Sequence, residues 1–146
     1  MYLIVDANRV FSALLSKGNA FAVFLLNNVV KEFDLISPEF LFFEVGKHLD
    51  EVIEKSSLPP EELGKVFRFV KSEIEFMPLK EFNKHAGEAE KLSPHGKDAQ
   101  YFALSLALNG AIWSDEKAFK SQSKVKIFNT DELIGLLCSR FDTLTG

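Results

Sequence analysis

Five acidic residues of this chain stand directly after apolar runs, or among apolar residues, where carboxylates could meet and bind a metal ion. They are Asp6, Glu44, Asp98, Asp115 and Glu116. Carboxylates cannot crowd together in the ionised state unless a cation neutralises them. Mg²⁺ and Mn²⁺ prefer oxygen ligands, and such ions can activate water and polarise phosphoryl oxygens. These residue types therefore predict a divalent-metal site that acts on a phosphodiester.

Each of these acids also has a simpler structural explanation. Asp6 is compatible with an N-cap for a helix that begins near Arg9, and Asp98 with the favourable dipole of its own helix. Glu44 is compatible with a helix edge that reaches solvent. Asp115 and Glu116 are compatible with caps of the short helix that follows them. Because spacing in sequence does not show convergence, both explanations stay open on the residues alone.

Short apolar runs alternate with longer helical stretches along the chain, and this order predicts how the acids are positioned. Such alternation is typical of a parallel sheet covered by helices on both faces. Ligands of such sheets bind outside the carboxyl ends of the strands, where Asp6, Asp115 and Glu116 fall. The predicted strands are residues 2–5, 33–36, 74–77, 111–113 and 125–128.

Capping patterns predict where the helices begin and end. Ser37-Pro38-Glu39 reads as a helix start, with Ser37 as the cap, Pro38 in the first helical position and the helix running to about residue 55. Thr130 reads as the cap of the last helix, and Cys138 as an apolar core residue within it. The other predicted helices lie near residues 9–15, 21–30, 60–73, 82–92 and 97–108.

Length and composition limit the classes of protein to which the chain can belong. The chain has 146 residues, of which 47% are hydrophobic and 26% charged, so we expect a single globular domain over 1–146. Its one cysteine forms no internal disulfide and no zinc cluster, which favours a reducing compartment. No targeting segment or membrane span is visible, so we expect a cytoplasmic protein that does not enter a membrane. The net charge of −4 excludes a broad basic surface for nucleic acid.

Four segments carry the strongest pattern in the chain through their order and spacing. They contain Ile4-Val5-Asp6-Ala7-Asn8 with residues 11–15, then residues 37–45, 97–108 and 112–119. In these segments the chain resembles the PIN-domain family, and the resemblance runs almost from end to end. It is most similar to the stand-alone PIN proteins of bacteria and archaea, some of which are toxins paired with an antitoxin.

The resemblance implies a three-layer α/β/α sandwich with a central, mostly parallel sheet. It also implies that acids hydrolyse RNA with bound Mg²⁺ or Mn²⁺, and Asp6, Glu44 and Asp98 match three family acids. The family pattern Thr/Ser-x-Asp falls on Ser114 and Glu116, with Asp115 between them and Ala118 where another acid often stands. The predicted catalytic residues are Asp6, Glu44, Asp98 and Glu116, and the predicted metal ligands are Asp6, Asp98, Asp115 and Glu116, with the choice between Asp115 and Glu116 left open.

Other polar residues near these acids have predicted supporting roles. Asn8 and Ser114 match small polar positions of the family, and we expect them to orient the acids through hydrogen bonds. Arg9, Lys97 and Lys117 could contact phosphate oxygens, although a solvated lysine on a helix surface is the commoner case. No residue type here distinguishes these two roles.

The function predicted from the sequence is a metal-dependent endoribonuclease, with RNA as substrate and an antitoxin as a candidate partner. One alternative is a PIN-fold binding or interaction module, because Glu116 and Ala118 depart from the family pattern. Another is a phosphate-ester enzyme that acts on small substrates. The nearly continuous apolar run at residues 39–43 cannot face inward throughout, so an exposed remainder is expected to serve a homodimer or an antitoxin.

Overall fold

Five short strands lie side by side in one parallel sheet. The computed structural model describes all 146 residues. Because the sheet is wholly parallel and has helices on both sides, the predicted α/β/α sandwich is confirmed. The strands are β1 (Tyr2–Val5), β2 (Asp34–Pro38), β3 (Glu75–Met77), β4 (Ala111–Trp113) and β5 (Ile127–Phe128). Their order across the sheet is β3-β2-β1-β4-β5.

Eight α-helices and a few single 3₁₀ turns connect and cover the strands. Together with the sheet they enclose one contiguous cluster of 33 buried apolar residues. The inner residues of the central strand β1 are fully buried, as expected for a strand covered on both faces. The helices are α1 (Ala7–Leu15), α2 (Asn19–Val30), α3 (Phe40–Lys47), α4 (Leu49–Lys55), α5 (Pro60–Glu73), α6 (Ala86–Leu92), α7 (Ala99–Leu108) and α8 (Thr130–Thr145).

The predicted helix start at Ser37-Pro38 is wrong, because β2 continues through both residues. Ser37 pairs with Phe76 of β3, and its hydroxyl donates a hydrogen bond to the Val5 carbonyl at 2.9 Å. The serine oxygen is thus used between strands and caps no helix. The predicted helix to residue 55 is also divided, since His48 has φ −105° and ψ 11° and separates α3 from α4.

Four further predicted boundaries or residues differ in the structure. The helix expected from Phe82 begins at Ala86, because a 3₁₀ turn precedes it and the Phe82 ring is fully buried. Residues 97 and 98 form a 3₁₀ turn rather than the first turn of α7. The cap of α8 is Asn129, not Thr130, in a reciprocal capping box with Glu132. Cys138 is exposed on α8 and is not part of the core.

The apolar run of α3 is partly exposed, as the sequence predicts. Phe43 is 68% exposed and Phe42 is partly exposed beside it.

None of the helices by itself has the length and apolar character needed to span a membrane. Helices α1 and α2 together meet these two requirements, but the chain bends by 104° between them.

The register of the central strands fixes the place of the candidate acids. Val5 of β1 lies opposite Trp113 of β4, so the next residues, Asp6 and Ser114, leave the sheet side by side. The Asp6 N–H donates a hydrogen bond to the Trp113 carbonyl at 3.2 Å. Helix α7 packs against β1, β2 and β4. Asp98, the residue directly before α7, is thereby brought to the same edge of the sheet.

Candidate metal centre

Asp6 is held at the end of β1 by two hydrogen bonds. The Ser114 hydroxyl donates to Asp6 Oδ2 at 2.9 Å, and the Asn8 N–H donates to Asp6 Oδ1 at 3.3 Å, which also makes Asp6 the N-cap of α1. Asp6 is only 4% exposed, and burial raises the pKa of its carboxyl group above 3.8. Structural capping and a position at the candidate site therefore coexist in one residue.

Asp98 is a buried acid with no partner for one of its oxygens. It is 7% exposed, and its Oδ2 atom is inaccessible and accepts no hydrogen bond. Burial, followed by the negative charges of Asp6 and Glu116, raises the pKa of Asp98 from 3.8 to about 6. An unpaired buried carboxylate oxygen is costly, so this atom is suited to a cation.

Glu116 completes an acidic cluster, which we define as Asp6, Asp98 and Glu116. Its charge raises the pKa of both aspartates, and no basic side chain forms an ion pair with either of them. Three residues each have a donor atom within 4.8 Å of the donor atoms of the other two: His95, Asp98 and Glu116. These donors are two carboxylate oxygens and one imidazole nitrogen, a set that fits a divalent cation, whereas Asp6 lies outside the 4.8 Å set.

Asp115 has a different environment from Glu116, although the two are adjacent in sequence. Its Oδ1 accepts the Thr130 N–H at 2.6 Å, and its Oδ2 accepts the Thr130 hydroxyl at 2.7 Å and pairs with Arg9. The Trp113 indole N–H also donates to the Thr130 hydroxyl, at 3.0 Å. Both oxygens of Asp115 are thus engaged at the N-terminus of α8, so the geometry does not bring it into the acidic cluster.

Glu44 lies at the rim of the candidate site. Its carboxylate is partly exposed, 3.9 Å from Lys47 Nζ and 3.9 Å from His48 Nε2. It is not among the residues whose donor atoms lie within 4.8 Å of one another. Its charge nevertheless contributes to the raised pKa of Tyr101, as do the charges of Asp6 and Asp98.

The predicted supporting residues differ in what their side chains contact. Ser114 contacts Asp6 as described, whereas Asn8 contacts Asp6 through its main chain and exposes its side chain. Arg9 is engaged by Asp115 and is not free for phosphate in this structure. The predicted phosphate contacts Lys97 and Lys117 are both exposed, and neither forms an ion pair.

Comparison with known proteins identifies the family. A family model described as PIN domain matches residues 4–135, which is most of the chain. The chain belongs to the PIN domain family. No protein with a curated description matches the sequence.

Two solved structures share the fold of this PIN domain. The structure of VapBC2 from Rickettsia felis, bound to a DNA fragment from their promoter, has a TM-score of 0.65 and 14% identity, with 88% of this chain and 98% of that chain covered. PAE2754 from Pyrobaculum aerophilum has a TM-score of 0.63 and 14% identity, with 95% of this chain and 90% of that chain covered. At this identity the likeness concerns the fold alone.

Sequence reasoning gave no role to Tyr101 of this PIN domain, and it did not select His95, in the turn before Asp98, as a site residue. The Tyr101 hydroxyl accepts the Ala7 N–H at 3.1 Å, and burial together with the charges of Asp6, Asp98 and Glu44 raises its pKa. Both residues lie three positions from Asp98, one on each side. On a helix that spacing places Tyr101 on the face of Asp98, and this was the available signal.

We expect Tyr101→Phe to destabilise this PIN domain by about 1–2 kcal/mol, because the Ala7 N–H next to Asp6 loses its acceptor. Urea unfolding monitored by circular dichroism measures the change in the free energy of unfolding. Tyr2→Phe is the matched control, since Tyr2 is at the surface. Equal stability of the two variants would show that the hydroxyl of Tyr101 has no anchoring role.

Proposed function

We propose that this PIN domain is a metal-dependent endoribonuclease that hydrolyses phosphodiester bonds in RNA. The observation that carries the proposal is the buried, unpartnered Oδ2 atom of Asp98 within the acidic cluster. No basic side chain forms an ion pair with either aspartate of this cluster, and a bound divalent cation would neutralise their charges. Membership of the PIN domain family supports the same reading.

In this proposal Asp6, Asp98 and Glu116 hold Mg²⁺ or Mn²⁺. The ion, when bound, supplies a Lewis acid that polarises a phosphoryl oxygen and lowers the pKa of a water molecule. Ser114 and the Asn8 main chain orient Asp6 through their hydrogen bonds. The partly exposed Glu44 lies at the rim, where a carboxylate can accept a proton from water or hold it by a hydrogen bond.

Single-stranded or looped RNA is the proposed substrate, because a backbone phosphate must reach acids that are recessed at the sheet edge. The free lysines Lys97 and Lys117 flank Asp98 and Glu116 in sequence. Their charge favours the approach of the phosphate backbone to a protein whose net charge is −4. Of the two adjacent acids Asp115 and Glu116, the proposed ligand is Glu116, because the carboxylate of Asp115 is already hydrogen-bonded to Thr130.

We further propose that the protein acts as the toxin of a toxin–antitoxin pair. The likeness in fold to VapBC2 and the exposed phenylalanines of α3 support a protein partner. The homodimer predicted from the sequence stays a prediction. We also propose a cytoplasmic location, where RNA and a reducing environment for the free thiol of Cys138 are both present.

The proposal is tested by incubating a mixed RNA pool with purified protein in Mg²⁺, in Mn²⁺ or in chelator. We expect cleavage in the presence of metal, none in chelator, and none with Asp6→Asn. Asp34→Asn is the matched control, since Asp34 is exposed at the opposite, amino-terminal end of β2. A folded protein that binds RNA without cleaving it in either metal would instead identify a PIN-fold binding module, in line with Ala118 replacing an acid.

A further inference from the structure

His95 lies against the acidic cluster and is the one nitrogen donor there. Its Nε2 atom is 3.0 Å from Glu116 Oε1, and donor atoms of His95, Asp98 and Glu116 all lie within 4.8 Å of one another. The side chain is 53% exposed, so it is reachable from solvent while it faces two buried or half-buried acids. An ordinary ion pair with Glu116 leaves the Oδ2 atom of Asp98 without a partner.

The chain holds His95 in this position through its main chain. The His95 carbonyl accepts a hydrogen bond from the Asp98 N–H at 3.0 Å and another from the Ser93 hydroxyl. His95 and Asp98 are therefore the first and last residues of one tight turn. This turn contains the 3₁₀ segment Gly96–Asp98 and leads directly into α7. These hydrogen bonds fix the main chain of His95 relative to that of Asp98.

The spacing of the three donors agrees with ligands of one ion. Around an octahedral ion with bonds of about 2.1 Å, neighbouring ligands lie about 3 Å apart and opposite ligands about 4 Å apart. The His95–Glu116 separation of 3.0 Å matches the first value, and the donor atom of Asp98 lies within 4.8 Å of both other donors. Only small side-chain movements are needed to bind an ion between them.

We propose that His95 is a direct nitrogen ligand of the metal centre, and that it makes the centre select a first-row transition-metal ion such as Mn²⁺ over Mg²⁺. The inference rests on the proposed function, since it concerns the same ion. Imidazole nitrogen binds transition-metal ions well, whereas Mg²⁺ strongly prefers oxygen ligands and retains its water. A site of carboxylates alone has no comparable means of discrimination.

The test measures metal binding to the purified, metal-free protein by calorimetry with MnCl₂ and with MgCl₂, without any RNA. We expect wild type to bind Mn²⁺ more tightly than Mg²⁺. His95→Ala is expected to weaken Mn²⁺ binding by about tenfold or more, and Mg²⁺ binding by less than about threefold. Because His95 is largely exposed, the variant should fold, which thermal unfolding checks.

Two further measurements separate the proposal from its alternatives. Pulsed electron paramagnetic resonance of bound Mn²⁺ should show coupling to a ¹⁴N nucleus, and this coupling should be absent in His95→Ala. His85→Ala is the matched control, since His85 lies in a 3₁₀ turn beside a cleft that also contains Met1 and Lys124, away from the acidic cluster. It should retain the wild-type affinities and the nitrogen coupling.

The failures of the two proposals are distinguishable. Wild type that binds neither ion would overturn the metal centre of the proposed function, and the role of His95 with it. Wild type that binds both ions with equal affinity, unchanged in His95→Ala and without nitrogen coupling, would leave the metal centre standing. His95 would then be only the ion-pair partner of Glu116.

Discussion

Asp98→Asn is expected to stabilise the metal-free protein at neutral pH by about 2 kcal/mol while it lowers cleavage by about 10²-fold or more. The loss of cleavage follows from removal of the buried carboxylate that faces the proposed ion. The gain in stability has a separate cause. In the folded protein this acid ionises against burial and against the charges of Asp6 and Glu116, and asparagine has no charge to place there.

The sign of the pH dependence follows from the pKa of Asp98. In the unfolded chain its carboxyl group ionises near 3.8, whereas in the folded protein it ionises near 6. Between these values the folded state binds more protons, so its contribution to stability falls as the pH rises, and the full cost remains above pH 6. The free energy of unfolding of wild type should therefore approach that of Asp98→Asn only at low pH.

Urea unfolding of both proteins in chelator, from pH 4 to pH 8, measures this difference. Comparing the two proteins is essential, because salt-bridged acids such as Glu51 and Glu88 have lowered pKa values and lose their contribution as the pH falls. Those groups are common to both proteins and cancel in the difference. A difference that stays constant across this range would show that Asp98 is not buried beside other charges as described.

Asp115→Ala and Glu116→Ala are expected to have opposite effects, which decides the role of each acid. Asp115→Ala should lower the free energy of unfolding by about 2 kcal/mol, because Thr130 and Arg9 lose charge-assisted hydrogen bonds. Its affinity for metal should stay close to wild type. Glu116→Ala should not lower stability, since its carboxylate contacts only His95 and repels the two aspartates, and should weaken metal binding about tenfold or more.

Thermal unfolding and calorimetric titration with MnCl₂ of the same two variants provide both measurements. The two sites are adjacent in sequence, and each variant is therefore the control for the other. If Asp115→Ala weakens metal binding more than Glu116→Ala does, the acid of the fourth segment has been assigned to the wrong residue. Equal and small effects on metal binding would place the ion on Asp6 and Asp98 without help from this segment.

Much of the sheet could be predicted because its signal is local. The apolar run before Asp6 and the run Ala111–Trp113 are strands in both the prediction and the structure, since buried parallel strands are continuously apolar. The helix start at Ser37 failed because its hydroxyl has a competing acceptor, the Val5 carbonyl, on a strand 32 residues away. No pattern within residues 37–39 contains that information.

In the candidate site, too, some features have a local signal in the sequence and others depend on tertiary contacts. The apolar run before Asp6 indicates that Asp6 follows a strand, and the apolar pattern after Asp98 indicates that Asp98 lies near a helix start, and both signals are local. The difference between Asp115 and Glu116 depends on where Thr130 of α8 lies, and this is a tertiary contact between residues 15 apart. His95 is likewise recognisable only once the turn before Asp98 places its imidazole beside Glu116.

The position of Trp113 makes the centre optically observable. It is the one tryptophan of the chain, fully buried, and it packs against Phe24 with ring centroids 5.1 Å apart. The next residue along the chain, Ser114, is hydrogen-bonded to Asp6, and the indole itself is bonded to the residue that holds Asp115. Unlabelled protein thus contains a single indole that is connected through one residue to the proposed metal ligands, and under excitation selective for tryptophan its emission reports on that part of the molecule.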